Sequence, residues 1–216
     1  MIDTVIFDID GVIVDSEHHW KDVEFNFIKS LIPSWDEDKH NKIMGLNISD
    51  QHKLLKEEFG LKKIESELAD FYNKQANEIY GVRVSLLPGF LDLLTDLKNK
   101  KFKTAIASSS PASWISIVLT RFSLSRFFDT AFSVEEVKCK GKPYPDIYIH
   151  TAKQLGKKPE QCIVIEDSMN GVTSAKSAGM KCIGLRNGFN DNQDLSKADL
   201  MIKNFSELSS DRIKNL

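Results

Sequence analysis

Asp8 and Asp10 stand two residues apart at the end of the first apolar run, Val5-Ile6-Phe7-Asp8-Ile9-Asp10-Gly11-Val12. Residues i and i+2 of a strand share a face, so the two carboxylates meet in one pocket unless the backbone turns between them. Paired carboxylates at the carboxyl end of a strand can hold a hard cation, attack a phosphorus centre and pass a proton. The alternative is a strand that merely stops in turn-forming Asp and Gly. Two more apolar runs, and one loop, end in or carry polar groups. Ile106-Ala107-Ser108-Ser109-Ser110 sets hydroxyls and N–H groups ahead of a helix, and helix N-termini attract anions. Ser110 is at the same time the candidate N-cap of that helix. Lys142 lies in Gly141-Lys142-Pro143-Tyr144-Pro145-Asp146, where two prolines stiffen the loop and can fix the direction of the ammonium; the alternative is a solvated loop lysine. Ile163-Val164-Ile165-Glu166-Asp167-Ser168 ends in two adjacent carboxylates. They either cap the next helix or complete a Mg²⁺ shell, which prefers hard oxygen ligands.

The elements that must position these groups follow from the hydrophobic pattern. Short apolar runs at 4–9, 103–108, 129–132, 161–165, 181–185 and 199–202 read as strands. They are continuous rather than alternating, as strands buried on both faces are. Between them lie helical patterns at 89–100, 111–122, 146–155 and 171–178, lengths suited to crossovers between parallel strands. The fold class expected is therefore α/β, a Rossmann-like, mostly parallel sheet flanked by helices. Residues 16–81 break the rhythm: helical patterns run through 19–31, 50–59 and 64–79, with no convincing strand. This predicts an all-α module inserted after the first strand, with a core of 1–15 and 82–216. Sites of open α/β sheets lie at the carboxyl ends of the strands, so the module is expected to cover the site, hinged at 14–17 and 80–87.

The whole chain narrows the class. Its 216 residues carry 29 basic and 31 acidic side chains, a net charge of −2, which gives no electrostatic case for nucleic acid or an anionic membrane. The three cysteines, Cys139, Cys162 and Cys182, form no C-x-x-C pair, so neither a disulfide framework nor a zinc site is expected. Cys162 and Cys182 sit in apolar runs and should be buried and inert. The first apolar run is broken by Asp8 and Asp10 and lacks a basic leader, and no run is long enough to span a membrane. A cytoplasmic location is the expectation, and a monomer is favoured.

The order D-x-D, Ser, Lys, E-D resembles the haloacid dehalogenase superfamily of phosphotransferases over nearly the whole chain. Asp8-Ile9-Asp10-Gly11-Val12-Ile13-Val14-Asp15-Ser16-Glu17 is similar to its first motif, Ser108 to its second, and Lys142 in G-K-P-x-P-D to its third. Glu166-Asp167-Ser168, with Gly171, Ala175, Ala178, Gly179 and Met180, is similar to its fourth. The forms D-G-V-I-V-D-S-E and E-D-S-x-x-G-V resemble the β-phosphoglucomutase-like branch, which carries a helical cap at this place. The resemblance implies Asp8 as nucleophile forming an aspartyl-phosphate and Asp10 as general acid, then base. It implies Mg²⁺ held by Asp8, the Asp10 carbonyl, Glu166 and Asp167. Ser108, Ser109 and Lys142 would bind the phosphoryl oxygens, and a small phosphoester, a sugar or polyol phosphate, would be the substrate. An aspartate at position 10 favours phosphoryl transfer over carbon–halogen cleavage. A phosphonate-cleaving lysine from the cap, Lys21 or Lys53, is the weaker option because lysines on helix faces are usually solvated.

The resemblance also separates a phosphatase from a mutase. β-Phosphoglucomutases carry a His shortly after the first motif and a cap Arg that grips the second phosphate. Here Trp20 takes the first place, with His18 and His19 beside it, and Ile48 falls where the Arg would be, in Gly45-Leu46-Asn47-Ile48-Ser49-Asp50. Without that cation a bisphosphate loses its clamp. A phosphatase is therefore expected ahead of a sugar phosphomutase, and both ahead of a non-catalytic regulatory module. Asn47 and His19 are candidate substrate-facing residues, and Trp20 a cap anchor or a stacking platform. Asn47 or Ser49 could instead cap the following helix.

Overall fold

The protein is described here from a computed structural model, which covers residues 1–44, 46–137 and 140–216. Cys139 and Gly45 lie outside the described residues. Six strands form one parallel sheet: Thr4–Phe7 (β1), Lys103–Ser108 (β2), Thr130–Ser133 (β3), Cys162–Glu166 (β4), Lys181–Leu185 (β5) and Leu200–Ile202 (β6), in the order β3-β2-β1-β4-β5-β6. Phe7 pairs with Ile106 on one side and Ile165 on the other. That register brings the carboxyl ends of β1, β2 and β4 level.

Period-two alternation divides the sheet's side chains between two cores. Val5, Phe7, Ile106 and Ile165 face one; Ile6, Ala105, Ala107 and Val164 face the other. Ten helices complete the fold: Ser16–Leu31 (α1), Glu37–His40 (α2), Ile48–Phe59 (α3), Glu65–Glu78 (α4), Phe90–Asn99 (α5), Ala112–Arg121 (α6), Val134–Val137 (α7), Asp146–Gln154 (α8), Met169–Ser177 (α9) and Ser210–Lys214 (α10), counted among the described residues. The first core packs α5 (Phe90, Leu94) and α6 (Ile115, Val118) and continues unbroken into Ile28, Leu55 and Tyr72 of the inserted helices. The second packs Ile147 and Tyr148 of α8 and Val172 and Ala175 of α9. Cys162 and Cys182 are buried thiols, as expected. Among the described residues no helix is long and apolar enough to cross a membrane.

Several boundaries differ from the pattern, each for a local reason. β1 stops at Phe7 instead of residue 9, because the Ile9 carbonyl accepts the N–H groups of Val12, Ile13 and Val14 in a tight turn. Asp129 does not begin β3; its carboxylate accepts the Thr104 N–H at the amino end of β2 instead. α6 starts from Pro111 without a side-chain cap. Ser110, expected to cap it, turns its hydroxyl to Asp10. The cap of α9 is Ser168, whose Oγ accepts the Gly171 N–H, so neither Glu166 nor Asp167 serves that purpose. After α4 the chain makes a π-helical turn, Ile79–Arg83, which periodicity could not indicate. Arg121 of α6 holds that turn, donating to the carbonyls of Tyr80 and Val82 at 2.9 and 2.7 Å. The two crossings are tied together: the Asp15 N–H donates to the Ser85 carbonyl, and the Ser85 N–H to the Asp15 carboxylate.

Candidate active site

The level carboxyl ends of β1, β2 and β4 and the loop before α8 bring four of the sequence motifs together. Asp8 follows β1 directly, its N–H donating to the Ile165 carbonyl. Lys142, 2 % exposed, reaches it from the loop: Nζ lies 2.6 Å from Asp8 Oδ1 and 2.6 Å from Glu166 Oε1. The stiffened loop therefore does aim its ammonium, and the solvated alternative falls. Glu166 at the end of β4 is wholly buried. Its Oε1 also accepts the Tyr148 hydroxyl at 2.7 Å, and its Oε2 accepts the N–H groups of Asp167 and Ser168 and the Ser168 hydroxyl. Tyr148 carries no motif and was invisible to sequence reasoning.

Asp10 is held by three hydroxyls. Ser16 at 2.6 Å and Tyr80 at 2.5 Å donate to Oδ1, and Ser110 at 2.5 Å donates to Oδ2. Asp8 and Asp10 do face one cavity although the backbone has left the strand between them. Tyr80 comes from the π-helical turn, and its oxygen accepts the Trp20 indole N–H at 3.0 Å. An indole only donates, so the Tyr80 proton is directed to Asp10. Trp20 in turn stacks on Trp114 of α6, ring centres 5.1 Å apart, and is an anchor between the inserted helices and the core. Only Tyr80's place at the chain's return could have hinted at this role.

The close approach of Asp167 depends on a glycine. Gly11 has φ +68°, and a Cβ there would lie 1.9 Å from Asp167 Oδ2. Asn187 donates to the same oxygen at 2.9 Å and to the Gly11 carbonyl, and buried Asn190 donates to the Asp167 carbonyl. Neither asparagine was singled out from sequence. Asp8, Glu166 and Asp167 each offer an oxygen within 4.8 Å of the others.

One buried ammonium serves this many carboxylates, and the electrostatics show it. Burial pushes the Asp8 carboxyl up to about 7 against the pull of Lys142, with Glu166 and Asp10 adding to the rise. Burial, with Glu17, Glu166 and Asp8 nearby, raises Asp167 well above the usual carboxylate range. Glu17, at the foot of α1, is pushed up to about 8 by burial and by Asp10, Glu24 and Asp8. The Lys142 ammonium is held in its charged form by Asp8 and Glu166 in spite of its burial.

Above these groups lies a cavity of about 410 Å³, walled on the far side by the inserted helices, within the about 300–1,000 Å³ of small-molecule sites. Ser108, Ser109 and Ser110 line its floor, and Trp20, Asn47, Gln51 and Tyr72 its upper walls. Asn47 lines it while capping α3: its Oδ1 accepts the Asp50 N–H and its Nδ2 donates to the Asp50 carboxylate. His19 does not line the cavity; His18 does, stacked on Phe189.

With this geometry in hand, comparison with known proteins places the chain. Residues 5–185 match the model of the haloacid dehalogenase-like hydrolases, and the chain belongs to that family. It is similar to the phosphorylated carbohydrates phosphatase of Thermotoga maritima, 31 % identical over 91 % of each chain. It is equally similar to the β-phosphoglucomutase of Bacillus subtilis, 31 % identical over 95 % of this chain and 91 % of that one. The crystal structure of β-phosphoglucomutase from Clostridium difficile, 28 % identical, covers 100 % of this chain and 96 % of its own with a TM-score of 0.78.

Proposed function

We propose that the chain is a Mg²⁺-dependent phosphatase that hydrolyses a small phosphorylated carbohydrate through an aspartyl-phosphate on Asp8, with residues 16–81 as a helical cap on a core of 1–15 and 82–216. The observation that carries this reading is the buried contact of Lys142 with both Asp8 and Glu166, beside an Asp10 held by three hydroxyls. The names of the similar phosphatase and mutase support phosphoryl transfer.

The donor set fits a divalent cation. Three buried oxygens converge within 4.8 Å, all of them hard ligands. Fully ionised, their carboxylates would carry more negative charge than Lys142 offsets, and the raised Asp8 and Asp167 register that excess. Asp8, Asp167, Glu166 and the Asp10 carbonyl would hold Mg²⁺, which would lower the repulsion between a phosphate dianion and this acidic site. The chain's own groups do the rest. Asp8 attacks phosphorus as the bond to the leaving oxygen breaks. Asp10 gives that oxygen a proton, then takes one from the water that attacks the acyl phosphate, releasing Asp8 and inorganic phosphate. Ser108, Ser109 and Lys142 hold the equatorial oxygens, a job of positioning and electrostatics.

The second reading, a β-phosphoglucomutase-type mutase, has support in the Bacillus subtilis relative. Against it, no arginine is among the described residues that line the cavity. A non-catalytic regulatory module is disfavoured by the complete set of interacting groups. The cytoplasmic monomer expected from sequence stays part of this reading.

Phosphate release from p-nitrophenyl phosphate and a panel of sugar and polyol phosphates, with and without Mg²⁺, tests it. Metal-dependent release that vanishes in Asp8→Asn is expected. Turnover by that variant at the wild-type rate would reject the aspartyl-phosphate. Primer-dependent isomerisation of glucose 1-phosphate without release would establish the mutase instead.

A further inference from the structure

Glu24 lies on the buried side of α1, where helical periodicity calls for an apolar residue between Trp20 and Ile28. A carboxylate inside a helical module is costly unless its oxygens are matched. Tyr72, Gln51 and His40 supply the partners, and one proton among them is contested. Glu24 Oε1 accepts the Tyr72 hydroxyl at 2.7 Å, but that hydroxyl also lies 3.0 Å from Gln51 Oε1. A phenol has one proton, so it cannot serve both acceptors. Glu24 Oε2 lies 3.5 Å from His40 Nε2, at the outer limit of a hydrogen bond. The other ring nitrogen, His40 Nδ1, is buried with no partner. All four residues line the cavity opposite the phosphoryl end, and the Glu24 side chain keeps 12 % of its surface accessible.

This wall has more acceptors than the Tyr72 proton can serve, and acidic side chains stand on it. Asp22 and Glu24 line this side of the cavity, burial raising the Glu24 carboxyl, while Lys21, which also lines it, is more than half exposed and pairs with Glu37. Native interiors rarely leave buried polar atoms unpaired without a reason. A ligand hydroxyl, which both donates and accepts, suits the partly accessible Glu24 carboxyl and the Tyr72 and Gln51 groups beside it. A second phosphate does not, because the wall offers it acceptors and acidic groups, and burial already disfavours negative charge at Glu24.

We propose that Glu24, His40, Gln51 and Tyr72 form the leaving-group subsite, reading the hydroxyls of an uncharged, polyhydroxylated leaving group, and that they exclude substrates with a second phosphate. The proposal rests on the phosphatase reading of the same cavity and deepens it. Glu24 and Tyr72 select the leaving group; they take no part in the bond changes at phosphorus.

The test is a selectivity ratio: kcat/KM for a hexitol or hexose monophosphate divided by kcat/KM for phenyl phosphate, which has no hydroxyl to read. Glu24→Gln keeps the shape and Tyr72→Phe removes one hydroxyl, so one of the pair serves if the other fails to fold. The expected result is a ratio reduced roughly 10- to 100-fold, expressed in KM for the polyol substrate, since a site built around a substrate hydroxyl loses that much or more without it. The wild type should also prefer the monophosphate over the matching bisphosphate by at least about 10-fold. Unchanged ratios in both variants, or equal use of the bisphosphate, would overturn the subsite while leaving the phosphatase standing. A wild type that hydrolyses neither substrate class with Mg²⁺ present would overturn the phosphatase reading, and the subsite with it.

Discussion

At the amino ends of the strands, Asp129 meets Lys98 at 3.0 Å and Lys103 at 2.6 Å and accepts the Thr104 N–H. Asp199 repeats the arrangement near the other edge of the sheet, with Lys176 at 2.6 Å, Lys181 at 3.0 Å and the Cys182 N–H. At the carboxyl ends the proportion is reversed: one lysine, Lys142, stands between two carboxylates, with Asp10 and Asp167 close by. The same residue types are thus used in two ways. Two cations and a backbone donor per aspartate balance its charge and fix strand ends. Several carboxylates around one buried cation leave negative charge that the protein does not balance, and burial raises Asp8 and Asp167 while the lysines hold Asp129 and Asp199 down. Imbalance marks the end of the sheet that is built to take up a ligand.

The comparison can be broken at either end. Asp8→Asn should reduce phosphate release by at least about 10³-fold, as removal of a nucleophile does, whereas Asp129→Asn should keep the wild-type rate; steady-state assays of the two variants side by side decide it. Lys142→Met should lower kcat by roughly 10²- to 10³-fold, the usual loss when one stabilising donor is removed, measured at saturating substrate. Gly11→Ala forces a left-handed residue to carry a Cβ at 1.9 Å from Asp167 Oδ2. It should weaken Mg²⁺ binding roughly 10- to 100-fold by displacing one carboxylate, seen as a rightward shift of the metal-activation curve.

The smallest effect belongs to the balanced end. Partial burial works against ionisation of Asp129, but Lys103, Thr104 and Lys98 hold its carboxyl from 3.8 down to about 2. The unfolded chain therefore takes up the proton first. The stabilisation is present above about pH 4 and is lost as the pH falls through about 2. At pH 7 it amounts to at most about 2 kcal/mol. Thermal melts of Asp129→Asn should show a lowered Tm at pH 7 and a gap from the wild type that closes below pH 4.

The sequence carried the sheet, its helices and the inserted helical stretch because buried parallel strands and amphipathic helices leave plain patterns at 4–9, 103–108 or 89–100. It also carried Asp8, Asp10, Ser108 and Asp167, since each ends or follows an apolar run, and Lys142 through the two prolines of its loop. What it did not carry are groups that act from outside any motif. Tyr80, Tyr148, Asn187 and Asn190 reach the site through long-range contacts, and nothing local in their segments sets them apart. Ser110 was read as a helix cap from its neighbours in the chain, but Asp10, a hundred residues away, competes for its hydroxyl. Glu24 was passed over for the same reason: a lone acid on an amphipathic helix reads as solvated until the packing shows it inside.

β1 is the first strand of the chain and lies in the middle of the sheet, between β2 and β4. A chain emerging from the ribosome amino end first therefore carries Asp8 unflanked until β2 follows. One neighbour arrives with Ile106 and the other only with Ile165, and Asn187 and Asn190 follow later still. Such long-range pairings form slowly and late. A nascent chain that has not yet delivered Glu166 and Asp167 cannot hold the assembled charge cluster, so the centre forms only once β4 has joined β1.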